Sequence, residues 1–182
     1  MKKEIAAVVF FLKRLIKKAE KLDVEKVDLF VERLTVALQE KYKCHWYPDN
    51  PSKGQAFRCI RVNRFHKEDA ELLRACAESG VQYKDLSLPK ELTLWVDPGE
   101  VCCRYGERNH GFTVATFSSD DDDDDKEDVT KKVTSAVERV TALNHMCAFR
   151  AANTHSKCAQ RAAFLQTMRV DRIDSSFTCP CS

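Results

Sequence analysis

Glycine and proline are both scarce in this chain of 182 residues, with five of each. The five glycines form no glycine-rich phosphate-binding loop, which argues against the common nucleotide-binding motifs. No stretch approaches the roughly 18–20 apolar residues that a bilayer span requires. The apolar stretch 6–12 lies between lysines, but no small-residue cleavage site of a secretory signal follows it. We therefore expect a soluble intracellular protein with reduced thiols and no membrane partner.

An excess of charge of one sign is also absent, since 30 Lys and Arg residues face 28 Asp and Glu residues and the formal net charge is +2. This balance is too mild for a protein that neutralises a phosphate backbone, so no direct nucleic-acid partner is expected. One local basic cluster, interleaved with two phenylalanines, could still hold RNA by phosphate contacts and stacking, or could steer an acidic partner. Its members are Lys53, Arg58, Arg61, Arg64, His66 and Lys67.

The nine cysteines and five histidines lack the spacing of metal or catalytic sites. No two cysteines are separated by two residues, as zinc sites usually require. Cys179 and Cys181 with Cys158 and His155 make a conceivable but poor metal cluster, so we expect no metal and no cofactor. No histidine has a nucleophile or carboxylate partner at a motif spacing, and we expect no enzymatic activity.

The composition changes near residue 118, where a polar region begins with six consecutive aspartates, Asp120 to Asp125. We expect one globular domain over residues 1–117 and an acidic spacer over residues 118–128. Residues 129–182 are expected to be a poorly ordered tail. A short, marginal helix is possible over residues 129–143, because valines recur there at helical spacing.

Hydrophobic periodicity predicts that the domain begins with two helices. The first covers residues 3–20, and the second follows Asp23, a plausible N-cap; the short link makes them an antiparallel pair. A third helix is predicted over Asp69–Glu78, and a short helical turn over Tyr83–Leu86. The apolar side of the third helix is assigned to Ala70, Leu73 and Ala77.

Four strands are predicted after the helix pair, over Gln55–Asn63, Glu91–Asp97, Glu100–Tyr105 and Phe112–Phe117. Short turns at Pro98-Gly99 and Gly106–Gly111 join the last three strands. The fold class is therefore α+β, with an antiparallel helix pair and short helices on a small, mainly antiparallel sheet.

The strand Glu91–Asp97 carries an aromatic residue on its polar side. Alternation places the apolar Leu92, Leu94 and Val96 on one face of the strand, toward a core. Thr93, Trp95 and Asp97 then share the other face. A tryptophan between polar groups is typical of an interface anchor. The alternative is that a helix covers this face and Trp95 belongs to a second side of the core.

Two long segments resemble the signature boxes of the BTG/Tob antiproliferative family. Tyr42–Asn63 contains the run Cys-His-Trp-Tyr-Pro-Asp-Asn-Pro-Ser-Lys-Gly-Gln-Ala-Phe-Arg-Cys and is similar to the first box. Leu88–Glu107 contains Leu-Thr-Leu-Trp-Val-Asp-Pro-Gly and is similar to the second. The resemblance covers residues 1–117. The segment Cys-Cys-Arg-Tyr-Gly-Glu at residues 102–107 is most similar to the sequences of the branch that contains the ANA protein.

The resemblance implies a non-catalytic adaptor of the cytoplasm and nucleus. Such proteins bind the Caf/Pop-type catalytic subunit of the CCR–NOT deadenylase through the two boxes, promoting poly(A) shortening and restraining proliferation. The family's contact residues fall on Phe57, Trp95 and Asp97 of this chain. The alternative is a transcription or cell-cycle cofactor that acts by protein contact through the same surface, without the deadenylase.

Overall fold

The computed structural model describes residues 1–117 and 130–143 of the chain. The chain divides into two compact units, Met1–Thr141 and Ala142–Ser182, and only residues 142 and 143 of the second are described. The acidic spacer expected over residues 118–128 lies outside the described residues. So does the expected tail, except for residues 130–143.

The domain begins with two long helices, α1 (Lys2–Lys18) and α2 (Val24–Tyr42), which pack against each other. Lys13 near the end of α1 and Asp28 near the start of α2 form an ion pair at 2.5 Å, as expected for antiparallel neighbours. The helices contribute the largest apolar residues of the core. Those that are at most 1% exposed include Ile5, Val8, Phe11, Leu12, Ile16, Val27, Phe30, Leu34, Leu38 and Tyr42.

The third helix, α3 (Ala70–Ser79), buries a different side from the one predicted. Its buried residues are Leu72, Ala75, Cys76 and Ser79. The assignment of Ala70, Leu73 and Ala77 to the core was wrong, because all three are exposed. Both sets have helical spacing, and packing of α3 against α2 selects between them.

The sheet has four antiparallel strands in the order β1 (Cys59–Val62), β2 (Leu92–Asp97), β3 (Glu100–Tyr105) and β4 (Phe112–Thr116). The predicted α+β class is confirmed. The predicted first strand was too long, because Gln55–Phe57 is a 3₁₀ turn in which the Phe57 N–H donates to the Gly54 carbonyl at 3.0 Å. A second 3₁₀ turn covers Tyr83–Leu86, as predicted.

Alternation along β2 separates core from surface. Leu94 and Val96 have no exposed area and Leu92 is 2% exposed, while α1 lies against β2, β3 and β4. The predicted core face is therefore confirmed. Trp95 and Asp97 lie on the opposite face, here called the outer face, and both are half-buried. Thr93 shares that face but is only 3% exposed.

The start of α3 protects the free edge of β1. The Asp69 carboxylate accepts the N–H groups of Glu71 and Leu72 through Oδ1, at 3.0 and 3.4 Å, and thereby caps the helix. Its Oδ2 accepts the N–H of Arg61 on β1 at 3.1 Å. Lys41 Nζ donates to the Cys59 carbonyl at 3.3 Å. The Arg61 N–H and the Cys59 carbonyl at this edge of the sheet therefore both have partners within the protein.

Residues 130–143 are helical and are here called α4; the part of α4 up to Thr141 lies next to α1 and β4. Val133, Ala136, Val137 and Val140 are at most 5% exposed. Lys18 Nζ of α1 donates to Thr141 Oγ1 at 3.2 Å, and the Arg139 guanidinium carbon lies 5.8 Å from the centre of the Phe112 ring. The part of α4 up to Thr141 thus belongs to the same compact unit as residues 1–117.

Among the described helices, none has the length and apolar character needed to cross a membrane.

Replacing Leu94 by Ala should lower the free energy of unfolding by roughly 2–5 kcal/mol, because the variant leaves a cavity in the centre of the core. Urea unfolding of the variant beside the wild type measures this loss. Trp95→Ala, on the next residue but the other face, should cost clearly less stability. Equal losses in the two variants would contradict the assignment of faces.

Candidate interaction surface

Trp95 stands at the centre of the outer face. The strand register places it between Cys59 of β1 and Cys102 of β3. The Arg104 guanidinium carbon lies 5.2 Å from the centre of the Trp95 ring system, within cation–π range. The Trp95 ring is therefore covered in part by the Arg104 side chain, and the rest of the ring remains exposed.

The two cysteines beside Trp95 are neutral at physiological pH. Burial raises the pKa of the Cys102 thiol to about 11, and it also raises the pKa of Cys59. Because the thiolate is the nucleophilic form of cysteine, neither residue is an activated nucleophile. Both act as small, weakly polar flanks of the tryptophan.

Phe57 presents its ring from the turn that precedes β1. It is 57% exposed and stacks on His45, with ring centres 4.1 Å apart and planes 6° from parallel. The same turn contacts the end of β2, because the side-chain amide of Gln55 donates to Asp97 Oδ2. The structure thus brings Gln55–Phe57 of the first box beside Asp97 of the second.

Arg58 joins the two boxes from inside the protein. Its side chain has no exposed area, and its guanidinium has five N–H groups to satisfy. Nε donates to the Val96 carbonyl at 2.8 Å, and Nη2 donates to Asp97 Oδ1, also at 2.8 Å. Three loop carbonyls, those of His45, Pro51 and Lys53, accept the remaining N–H groups at 2.5 to 2.6 Å. Each N–H group of the guanidinium therefore has an acceptor.

Gly54 permits the loop to close around this guanidinium. Its φ of +77° lies in the left-handed region. A Cβ there would lie 3.0 Å from Arg58 Nη1 and 3.2 Å from the His45 carbonyl oxygen. A larger residue would therefore be strained and would crowd the Arg58 contacts.

Asp97 has structural partners for both carboxylate oxygens. Oδ1 accepts from Arg58 and Oδ2 accepts from Gln55, and the side chain remains 16% exposed. A partner's N–H group would have to use lone pairs that these contacts leave free. Replacing Asp97 would consequently disturb Arg58 as well as any partner contact.

A charged cluster covers Thr93 and explains its burial. The register places Arg61, Thr93 and Arg104 side by side on β1, β2 and β3. Glu107 bridges the arginines, at 2.9 Å from Arg61 Nη2 and 3.3 Å from Arg104 Nη2. The hydrogen bond from Arg61, with smaller help from Asn63, holds the pKa of Glu107 below its ordinary value.

The basic cluster predicted from the sequence does not form one surface. Arg58 is fully buried and Arg61 is paired with Glu107. Lys53 Nζ lies over the Tyr47 ring at 4.2 Å. Arg64 and Lys67 line a separate groove. Arg58 is therefore unavailable for RNA binding, and the predicted cluster does not form a continuous RNA-binding stripe.

Sequence reasoning missed the joining role of Arg58 and the support that Arg104 gives to Trp95. A signal was present for the first, since Arg58 is in phase with the apolar Ile60 and Val62 and therefore points to the core. No local signal placed Arg104 near Trp95, because this contact depends on the register of β2 and β3.

Within residues 1–117 and 130–143, the structure has no group of three or more His, Cys, Asp or Glu side chains arranged to hold a metal ion. The conceivable cluster of His155, Cys158, Cys179 and Cys181 lies outside the described residues.

A family model described as "BTG family" matches residues 1–116, which include every residue of the site described above. The chain belongs to the BTG family. This is an antiproliferative family, and the resemblance found in the two boxes is confirmed.

Curated relatives show the same membership. The chain is 59% identical over 145 residues to Protein BTG3 of Sus scrofa, covering 80% of this chain and 57% of the pig protein. It is 64% identical over 119 residues to Protein BTG3 of Homo sapiens, covering 65% and 47% of the two chains. The chain thus matches about half the length of these relatives. The match to the pig protein is too long to end at residue 117, so the similarity extends beyond the predicted domain.

A solved structure supports the fold. The BTG/Tob domain of C. elegans FOG-3 superposes with a TM-score of 0.57, covering 64% of this chain and 91% of that domain. At 21% sequence identity, the similarity bears on the architecture alone.

Arg58→Lys should lower the free energy of unfolding by roughly 3–5 kcal/mol, because one ammonium cannot reach five acceptors around a buried site. The matched control is Arg61→Lys, which alters an exposed ion pair and should cost about 0–1 kcal/mol. Urea unfolding measures both. A loss in Arg58→Lys no larger than that of the control would contradict the role assigned to Arg58.

The contribution of Glu107 to the free energy of unfolding should decrease as the pH becomes acidic. Because its pKa in the folded state is below the ordinary value of 4.5, this contribution is present above pH 4.5 and is lost as pH falls through the folded-state pKa. Unfolding free energies measured across that range should fall less steeply for Glu107→Gln than for the wild type. Parallel pH profiles would show that the cluster over Thr93 adds no pH-dependent stability.

Proposed function

We propose that this protein is a non-catalytic adaptor that binds the Caf/Pop-type catalytic subunit of the CCR–NOT deadenylase through the outer face. In this role it promotes poly(A) shortening of messenger RNAs and thereby restrains proliferation. The observation that carries the proposal is the position of Trp95, which keeps exposed surface while its neighbours Leu94 and Val96 are fully buried.

The aromatic residues of the outer face are held in place before any partner arrives. Trp95 lies against Arg104, and Phe57 lies against His45. Side chains that are already ordered lose less conformational entropy on binding, so more of the contact energy appears as affinity. Tryptophan, tyrosine and arginine are the residue types that most often dominate interface energies. The composition and order of this face therefore suit a binding site.

Each of the three predicted site residues contributes differently to the proposed contact. Trp95 and the 57% exposed Phe57 supply apolar area that a partner would remove from water. Asp97 supplies a charged acceptor at the edge, although Arg58 and Gln55 already engage it. We therefore assign the main binding energy to the aromatic pair and an orienting role to Asp97.

A transcription or cell-cycle cofactor that acts by protein contact would use the same outer face. The two functions differ in the partner and not in the site. Direct measurement of binding to the deadenylase subunit separates them, because absence of binding by a folded wild-type protein would favour the cofactor function.

Trp95→Ala should weaken binding to the Caf/Pop-type subunit by roughly 2–4 kcal/mol, because it removes the central aromatic anchor. Isothermal titration calorimetry of the full chain against the purified subunit measures the change. Leu73→Ala is the matched control, since Leu73 is an exposed apolar residue on α3, 40% exposed and away from the outer face.

Micromolar or tighter binding (~8 kcal/mol or more) that persists in the control and disappears in a folded Trp95→Ala variant would support both the adaptor function and its site. Folding of each variant is checked by circular dichroism. Equal binding by wild type and Trp95→Ala would show that the outer face is not the contact.

A further inference from the structure

A groove lies at the end of the sheet where β1 finishes and the segment leading into β2 begins. Its volume is about 520 Å³, and its walls come from residues 62–64 and 67 on one side and from residues 83, 84 and 87–91 on the other. We refer to it as the basic groove. It is formed by the ends of both boxes, but none of the three predicted site residues lines it.

Four cationic side chains line the basic groove, namely Arg64, Lys67, Lys84 and Lys90. All four are exposed, and none forms a salt bridge within the part of the chain that the structure describes. Like charges gathered around one concavity repel one another, and an anionic ligand relieves that repulsion.

One acidic residue is present among the residues that line the groove. Glu91 lines it, but its Oε2 accepts the Glu107 N–H at 3.0 Å and so holds the turn that follows β3. Glu91 keeps its negative charge, so the lining carries four positive charges against one negative charge, a net charge of +3.

The groove also contains surface that a bare anion would not use. Val62, Leu88 and Pro89 contribute apolar area to its walls. The Tyr83 hydroxyl accepts the Asp69 N–H at 3.4 Å, which leaves the hydroxyl proton to donate to a ligand. Burial raises the pKa of Tyr83 to about 12, so the phenol keeps that proton at neutral pH.

We propose that the basic groove is a docking site for an acidic peptide segment of a partner protein, with carboxylates facing the four cations and an apolar side chain resting against Leu88 and Pro89. Cations without salt bridges, set beside apolar walls, fit an acidic peptide that carries an apolar side chain. Tyr83 supplies the one aromatic ring among the residues that line the groove, and the exposed Phe65 ring next to the lining is already covered by the Arg64 guanidinium, whose carbon lies 4.4 Å from the ring centre.

The chain's own aspartates, Asp120–Asp125, lie outside the described residues. The described segment before them ends at Phe117, whose N–H donates to the Gly99 carbonyl at 2.8 Å. Gly99 lies two residues after the last residue of β2, whereas Leu88–Glu91 of the basic groove precede its first residue. Phe117 is therefore at the opposite end of β2 from the basic groove, and replacement of the aspartates is one arm of the test.

The basic groove is separate from the outer-face site around Trp95. Arg61, Thr93 and Glu107 lie between them and are bound to one another or buried. A protein with both surfaces could hold two partners at once. The groove proposal does not depend on the identity of the partner that binds Trp95.

The test is fluorescence anisotropy of the full chain with a labelled peptide, Asp-Glu-Asp-Leu-Glu-Asp-Glu, beside its amide counterpart, Asn-Gln-Asn-Leu-Gln-Asn-Gln. The double variant Lys67→Glu and Lys84→Glu reverses two charges in the groove. The matched control, Lys26→Glu and Lys43→Glu, makes the same change in net charge at exposed positions on and beside α2.

We expect the acidic peptide to bind more tightly than the amide peptide, and the groove variant to weaken its binding about tenfold while the α2 control stays near wild type. Trp95→Ala should leave peptide binding unchanged, which keeps this result distinct from the outer-face experiment. Equal weakening in the groove variant and the control would overturn the proposal, because it would show attraction to net charge alone.

Two further results would also overturn it. One is binding of a short oligouridine but not of the peptide, which would make the groove a nucleic-acid site. The other is peptide binding that appears only after Asp120–Asp125 are replaced by asparagine, which would make the chain's own acidic run the occupant.

Discussion

The buried guanidinium of Arg58 must find an acceptor for each of its N–H groups, and this requirement shapes the surface that carries Trp95. A charge taken out of water is costly unless it is paired and fully hydrogen-bonded. The loop between α2 and β1 therefore turns its carbonyls inward, and β2 contributes the Val96 carbonyl and the Asp97 carboxylate. One side chain thus sets the relative position of the two boxes.

The outer face follows from that arrangement. Once the loop is folded around Arg58, His45 is in position to stack on Phe57, and Gln55 reaches Asp97. On the far side of Trp95, Glu107 draws Arg61 and Arg104 together over Thr93. The tryptophan is left between two ordered groups, so its exposed surface is presented with little freedom to lose on binding.

The chain belongs to the BTG family, and the outer face and the basic groove are the two surfaces that would suit the adaptor function proposed above. The outer face is aromatic, flanked by neutral thiols and internally hydrogen-bonded, whereas the basic groove is cationic and largely unpaired. Surfaces of such different chemistry would suit different partners, since apolar burial and charge complementarity are separate sources of binding energy. Occupation of one would leave the other accessible.

The sequence by itself determined the class of the fold and the two faces of β2, because alternation and helical spacing are local properties of the chain. Leu92, Leu94 and Val96 could be placed in the core from their spacing, and Trp95 on the opposite face. The family could also be recognised from residues in order along the chain, with Phe57, Trp95 and Asp97 as its predicted contacts.

Tertiary structure decided what depends on neighbours distant in sequence. It selected which side of α3 is buried, because the sets that contain Leu72 and Leu73 both have helical spacing and only packing against α2 separates them. It moved Arg58 from a supposed basic patch into the interior and placed Arg104 beside Trp95. These outcomes follow from loop closure and strand register, which bring together groups that no local pattern relates.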